Sequence, residues 1–118
     1  MNPKVRSIRN FLNANLHRQI RMAEITALVG LSRSRADNLF RAELGQSPMQ
    51  YLQELRLKKA CQLLETTDMK ITQVGSAVGY QDHSHFFRNF KKQFGVTPYE
   101  HRVRHLTRTP DASDPARK

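Results

Sequence analysis

The chain has 118 residues, of which 38% are hydrophobic, which is enough for one domain or two very small ones with a modest core. Its 20 Lys and Arg residues against 10 Asp and Glu give a formal net charge of +10, which indicates a polyanionic partner, most often nucleic acid. The single cysteine, Cys61, excludes an internal disulfide and a multi-cysteine zinc site, and no apolar run approaches the roughly 18–20 residues that span a bilayer.

Helical periodicity runs through most of the chain. A helix from about Lys4 to Ala14 is followed by one that stops at Gly30 and by a third that Ser32 caps. The next helix, from Pro48, is apolar on more than one face, which indicates burial on more than one side. The same order of helices and turns then repeats, and the chain ends in a stretch that contains prolines. These features predict a disordered N-terminus at 1–3, a first subdomain at 4–47, a linker helix at 48–67, a second subdomain at 68–106 and a disordered tail at 107–118.

The chain contains an internal repeat. Met22–Gly30 aligns with Ile71–Gly79 at an offset of 49 residues, and Phe40–Pro48 aligns with Phe90–Pro98 at an offset of 50. Each copy reads as a helix, a glycine-containing turn and a second helix, which is the helix-turn-helix unit. One copy would be weak support for DNA binding because any small helical bundle imitates it. Two copies in a strongly basic chain favour it strongly.

The predicted linker helix has a length suited to DNA. In a helix-turn-helix unit the first helix braces the second, which presents its outer face to the major groove. A linker of about 20 residues would span about 30 Å, close to the roughly 34 Å between successive major grooves on one face of DNA. We therefore predict an all-α chain that reads one asymmetric site as a monomer, with a recognition helix in each of two successive grooves.

Several stretches carry a family resemblance. The second half contains Val78–Asp82, His85–Lys92 and Phe94–Pro98, and the first half contains matching residues around Gly30–Ser32 and Leu39–Arg41. Over about residues 4–105 the chain resembles the DNA-binding domain of AraC/XylS-type bacterial transcription regulators. The resemblance implies seven helices in two helix-turn-helix subdomains joined by a long central linker helix. It also implies binding near promoters, activation through contact with RNA polymerase, and base contacts from the third and sixth helices.

Three positions depart from the family pattern. Thr26 and Gly75 stand where the family usually has alanine in the bracing helix, and Phe87 stands where it more often has a small polar residue. Glycine in a helix costs up to about 1 kcal/mol relative to alanine. We therefore expect the second bracing helix to be the softer one.

The outer face of the first recognition helix carries Ser34, Asp37, Asn38 and Arg41 as candidate base-reading residues. Asparagine can bond adenine through two hydrogen bonds, and aspartate can accept one from cytosine. Alternatively, Asp37 pairs with Arg41 or Arg33 and only orients it.

The second recognition helix presents His83, Ser84, Phe87 and Arg88 as its candidate base-reading residues. Arg88 is the strongest of these because two hydrogen bonds from arginine to guanine form the commonest specific contact. Phe87 either lies against thymine methyl groups or turns back into the neighbouring phenylalanine cluster.

Six basic side chains are candidates for neutralising DNA phosphates, and together they predict binding that weakens steeply with salt. They are Arg33, Arg35, Arg56, Lys91, Lys92 and Arg102.

Other functions receive less support. His101 and His105, four residues apart, have a two-histidine spacing that alone is weak support for zinc. Cys61 reads as a small core residue. Without a nucleophile–base pair or a phosphate loop, we expect no enzymatic activity, no cofactor and no metal.

The alternatives to sequence-specific DNA binding are a protein–protein interaction module and a non-specific basic DNA-binding protein. We expect a cytoplasmic, nucleoid-associated protein whose partners are promoter DNA and RNA polymerase, with no membrane contact.

Overall fold

The computed structural model describes residues 1–107, which form seven α-helices and no β-strand. No helix in this part of the chain is long and apolar enough to cross a membrane. The predicted disordered tail lies outside the described residues except for Thr107, which ends the last helix. In chain order the helices are α1 (Pro3–Asn15), α2 (Met22–Val29), α3 (Arg33–Leu44), α4 (Pro48–Thr66), α5 (Ile71–Ala77), α6 (His83–Phe94) and α7 (Pro98–Thr107).

The chain divides into two compact units at a boundary inside α4. The first unit is Met1–Arg56 and the second begins at Leu57. The 19 residues of α4 follow the predicted linker helix closely, but they are shared between the two units rather than standing apart from both.

The first unit begins earlier than the sequence analysis predicted. Pro3 is already helical, and the Asn2 side chain accepts a hydrogen bond of 2.8 Å from the Lys4 amide. The Asn2 amide itself donates to the Glu43 carboxylate at 3.0 Å. The prediction of disorder at 1–3 is therefore wrong for Asn2 and Pro3. An asparagine cap followed by proline in the first turn is a favourable helix start.

The core of the first unit lies between the apolar faces of α1, α2 and α3 and the start of α4. Phe40 on α3 is fully buried, and its ring meets that of Tyr51 edge to face at 5.5 Å. The buried cluster consists of Val5, Ile8, Leu12, Ile20, Ile25, Val29, Ala36, Phe40 and Leu52.

The turn of the first helix-turn-helix unit joins α2 to α3. Gly30 ends α2 with a φ of 67°, a left-handed conformation that glycine adopts at little cost. Two residues later the Ser32 hydroxyl accepts from the Arg35 amide at 3.2 Å and so caps α3. These two residues set where the bracing helix ends and where the recognition helix begins.

The second unit repeats this design with one extra residue in its turn. The Tyr80 amide donates to the Gly75 carbonyl at 3.0 Å, and the Asp82 carboxylate caps α6 by accepting from the Ser84 amide at 2.8 Å. Aromatic rings run along the inner face of α6, with Phe86 5.9 Å from Phe90 between ring centroids. The buried apolar residues of this unit are Leu57, Ala60, Leu64, Val74, Val78, Tyr80, Phe86 and Phe90.

Candidate nucleic-acid interface

The outer face of α3 is polar and open to solvent. Its inner face is held in the first unit by the buried Ala36 and Phe40. Ser34, Asn38 and Arg41 are exposed on the other side, and Arg33 and Arg35 flank them and are exposed as well. The face predicted to read DNA is thus presented by a helix whose opposite side is anchored in a core.

Asp37 forms an ion pair with Arg41 on this face. The Arg41 Nε donates to Asp37 Oδ2 at 2.9 Å, and both side chains remain partly exposed. The alternative in which Asp37 orients an arginine therefore describes this structure. Because the bond uses Nε, the pairing is compatible with a guanine contact from the two terminal nitrogens of Arg41.

The outer face of α6 combines charged, polar and aromatic groups. His83, Ser84 and Arg88 are exposed, as are Lys91 and Lys92 in the last turn of the helix. The opposite side of the same helix holds the buried phenylalanines, so its position in the unit is fixed by packing. Arg88 lies near the middle of α6 and is exposed.

Phe87 combines features of both predicted alternatives. Its ring lies 5.8 Å from the ring of Phe86, so it packs against the edge of the core. At the same time 39% of the residue is exposed, on the side of α6 that carries Arg88. An apolar ring that is braced from behind and open in front can contact a methyl group in the major groove.

Arg56 does not have the phosphate-binding role that the sequence analysis assigned to it. The residue is only 9% exposed, and its guanidinium donates to the carbonyl oxygens of Leu16 at 2.8 Å and Arg18 at 2.7 Å. It fastens the segment between α1 and α2. The sequence contained a signal for this, because Arg56 stands between leucines in a helix that is apolar on several faces.

Arg102, also predicted as a phosphate contact, is partly buried and its guanidinium is used in hydrogen bonds within its own unit. Its guanidinium donates to the carbonyl oxygens of Leu64 at 3.1 Å, Thr67 at 3.2 Å and Met69 at 2.6 Å. These carbonyls lie at the end of α4 and in the segment that leads to α5. Each unit thus uses one arginine, on the helix after its recognition helix, to hold the chain that enters its bracing helix.

Two further basic residues are exposed at equivalent places in the repeat. Arg21 immediately precedes α2 and Lys70 immediately precedes α5, and the two are equivalent in the repeat, 49 residues apart. Both side chains are on the surface. The repeat itself was the signal that could have identified them, because the same charge recurs at the same place in both copies.

His101 and Cys61, the residues considered for metal binding and thiol chemistry, both pack against other residues of the fold. His101 Nε2 lies 2.7 Å from the Glu65 carboxylate, and the His101 ring packs edge to face against Phe90 at 5.8 Å. Burial, and secondarily the charge of Glu65, raises the pKa of the Cys61 thiol to about 11, so it stays protonated at neutral pH. Within residues 1–107, no group of three or more His, Cys, Asp or Glu side chains could hold a metal ion.

Comparison with known proteins identifies a protein family and relatives that this chain resembles. Residues 25–104 match the model of a family described as a helix-turn-helix domain. The MmsAB operon regulatory protein of Pseudomonas aeruginosa is 34% identical over 96 residues, which cover 80% of this chain and 31% of that protein. The lactose operon transcription activator of Staphylococcus xylosus is 33% identical over 102 residues, which cover 86% of this chain and 37% of that protein. The chain spans about a third of the length of these curated relatives.

A solved structure shares the whole fold. The DNA-binding domain of the global transcriptional factor AdpA, in complex with a target DNA, superposes with a TM-score of 0.86 at 27% identity, covering 92% of this chain and 98% of that one. The chain belongs to the AraC/XylS family of transcription regulators, as its sequence motifs predicted, and its function is DNA binding in the regulation of transcription. The two relatives named above are regulators of operons.

Proposed function

We propose that this chain recognises a specific, asymmetric site in double-stranded promoter DNA as a monomer, with α3 and α6 entering two successive major grooves. The observation that carries the proposal is that each helix-turn-helix unit presents an exposed polar face on its second helix while the opposite face is buried. A helix of 19 residues, the length of α4, spans about 28 Å, which is near the groove spacing of roughly 34 Å.

The two faces would read bases with different chemistry. On α3, Ser34 and Asn38 supply short polar groups, and Asp37 holds Arg41 in position for a guanine or a phosphate. On α6, Arg88 would bond guanine, and Phe87 would contact a thymine methyl group. His83 and Ser84, in the first turn of α6, complete the proposed base-reading set.

The proposed phosphate contacts are the exposed basic side chains around the two recognition helices. Such contacts fix the register of a protein on DNA without reading sequence, and they make affinity fall with salt. The set consists of Arg33, Arg35, Lys91 and Lys92 from the sequence analysis, with Arg21 and Lys70 added from the structure.

The names of relatives suggest the cellular role. One relative is an operon regulatory protein and another an operon transcription activator. We propose that the protein containing this chain likewise activates transcription through contact with RNA polymerase, in the cytoplasm and associated with the nucleoid. The chain itself would contribute DNA recognition and no catalytic step.

Selection from a random pool of duplex DNA with the purified chain tests this proposal. We expect a consensus with two blocks of fixed bases about one helical turn apart. The selected duplex should then bind far more tightly than a scrambled duplex of equal length and composition at physiological salt, by a factor of about 10³ or more. If the two duplexes bind within about threefold of each other, the chain is a non-specific basic protein or acts mainly on proteins.

A further inference from the structure

An exposed apolar stripe runs along α7. Tyr99 is 65% exposed, Val103 37% and Leu106 65%. These residues are spaced at i, i+4 and i+7, so they lie on one face of the helix. Scattered exposed apolar side chains are ordinary, but three in register on a ten-residue helix form a continuous surface.

The stripe belongs neither to the core nor to the proposed DNA-reading surface. The other side of α7 faces its own unit, where His101 bonds Glu65 and Arg102 holds three carbonyl oxygens. The proposed base-reading residues of this unit all lie on α6. The exposed parts of the three side chains are therefore not used in the core of the unit, and none of the three residues is among the proposed contacts with DNA.

Opposite charges flank the stripe on one side. Glu100 and Arg104 are one helical turn apart, each next to a stripe residue. Hydrogen bonds from the Thr97 amide and hydroxyl lower the pKa of Glu100, and the positive charges of Lys91 and Arg104 lower it further. Glu100 is thus a carboxylate at neutral pH, and the flank carries one negative and one positive charge.

We propose that the α7 stripe is the contact surface between two copies of this chain bound side by side on DNA. In an antiparallel pair related by a two-fold axis, Val103 would meet Val103 of the second copy and Tyr99 would meet Leu106. The same operation would bring Glu100 of each copy opposite Arg104 of the other. The flank is therefore self-complementary, as a two-fold interface between identical chains requires.

The contact is expected only on DNA, and in this respect it rests on the proposed function. Three apolar side chains are far fewer than the roughly 20–30 residues a side of a stable protein interface. Two free copies with a net charge of +10 each also repel one another. DNA phosphates neutralise that charge and hold both copies at high effective concentration, so a weak contact becomes sufficient.

Occupancy of DNA that carries two copies of the selected site tests the proposal. The sites are placed either as an inverted pair or as a direct repeat, with the spacer varied one base pair at a time over about three helical turns. We expect the second copy to bind at least about tenfold more tightly than the first at one inverted spacing. The direct repeat should show independent binding at every spacing because the interface is two-fold symmetric.

Substitutions connect this cooperativity to α7. Tyr99→Ser and Leu106→Ser should each abolish it while leaving affinity for a single site within about twofold of the parent. The matched control is Met49→Ser, since Met49 is also exposed and stands at the position equivalent to Tyr99 in the repeat. It should keep full cooperativity.

A charge reversal gives a second, independent readout. Arg104→Glu should weaken cooperativity because it places two carboxylates opposite each other across the two-fold axis, and Arg104→Lys should keep it. Glu100 is left unchanged in both variants because its carboxylate accepts from the Thr97 amide at 2.8 Å and so caps α7. Independent binding by the parent at every inverted spacing overturns the proposal, as does cooperativity that survives the stripe substitutions. In both cases specific binding to a single site would still support the proposed function. If single-site specificity is itself lacking, both fail together.

Discussion

A Cβ atom placed on Gly75 would lie 2.8 Å from Cδ2 of Phe86. Gly75 is buried in α5, and the fully buried ring of Phe86, on α6, fills the space that a side chain would need. The equivalent residues in the first unit are Thr26 and Ala36. In the first unit the larger side chain of the pair is on the bracing helix, whereas in the second unit it is on the recognition helix. Gly75 therefore makes room for an aromatic core and is more than a weak point in α5.

Gly75→Ala should destabilise the second unit. Alanine gains up to about 1 kcal/mol in helix propensity, but forcing a methyl group against a packed ring costs about 1–3 kcal/mol. Urea unfolding would measure the balance. The same substitution in a Phe86→Ala background should be neutral or stabilising, and Ser76→Ala on the exposed side of α5 should change stability by less than about 0.5 kcal/mol. A Gly75→Ala variant more stable than the parent would contradict this packing.

Much of this fold could be predicted from the sequence because capping residues and glycines mark where several of the helices begin and end. Ser32 caps the first recognition helix as expected, and the repeat places both bracing helices correctly. The depth of packing at Gly75 could not be predicted, because a glycine in a helix has the same local cost whether its neighbour is water or a ring. Whether such a glycine only weakens the helix or is required by packing depends on the side chain opposite it.

Arg56→Met should lower stability without changing how binding depends on salt. Removing the guanidinium takes away the donors of the Leu16 and Arg18 carbonyl oxygens, and a hydrogen bond to a charged group contributes about 1.5–3 kcal/mol. Arg56→Lys should recover only part of this loss, because one ammonium cannot reproduce the fork of the guanidinium. Urea midpoints and DNA titrations over a range of salt concentrations would measure both effects.

Lys92→Ala is the matched comparison for Arg56. Lys92 is exposed on α6, so its loss should leave the urea midpoint unchanged and reduce the slope of log affinity against log salt by about 1. An Arg56→Met protein with normal stability and a reduced salt slope would restore the original phosphate assignment.

Arg56 and Arg102 show that a positive charge alone does not identify a phosphate contact. A basic residue in a basic chain reads as a phosphate contact, and for Lys91, Lys92, Arg33 and Arg35 the structure leaves that prediction open by placing them on the surface. Arg56 differs because the acceptors of its hydrogen bonds lie about 40 residues earlier in the chain. No local pattern reveals such a partner.

Phe87 should make binding sensitive to a thymine methyl group. Replacing thymine by deoxyuridine at single positions of the selected site removes only the methyl group, and at one position this should cost about 0.8 kcal/mol, or about fourfold in affinity. In a Phe87→Ser protein the same replacement should have no effect at that position. If the parent protein tolerates deoxyuridine everywhere, the exposed part of the Phe87 ring does not read bases.

The separate reading of one site by α3 and α6 is tested most directly by measuring affinity for every single base-pair variant of the selected site with the parent, Asn38→Ala and Arg88→Ala proteins. Each substitution should cost about 1–3 kcal/mol on the best site and flatten base preference at only one or two positions. The positions affected by Asn38→Ala and by Arg88→Ala should lie about 10 base pairs apart. An even loss of affinity over all variants, or both substitutions acting on the same positions, would contradict the account.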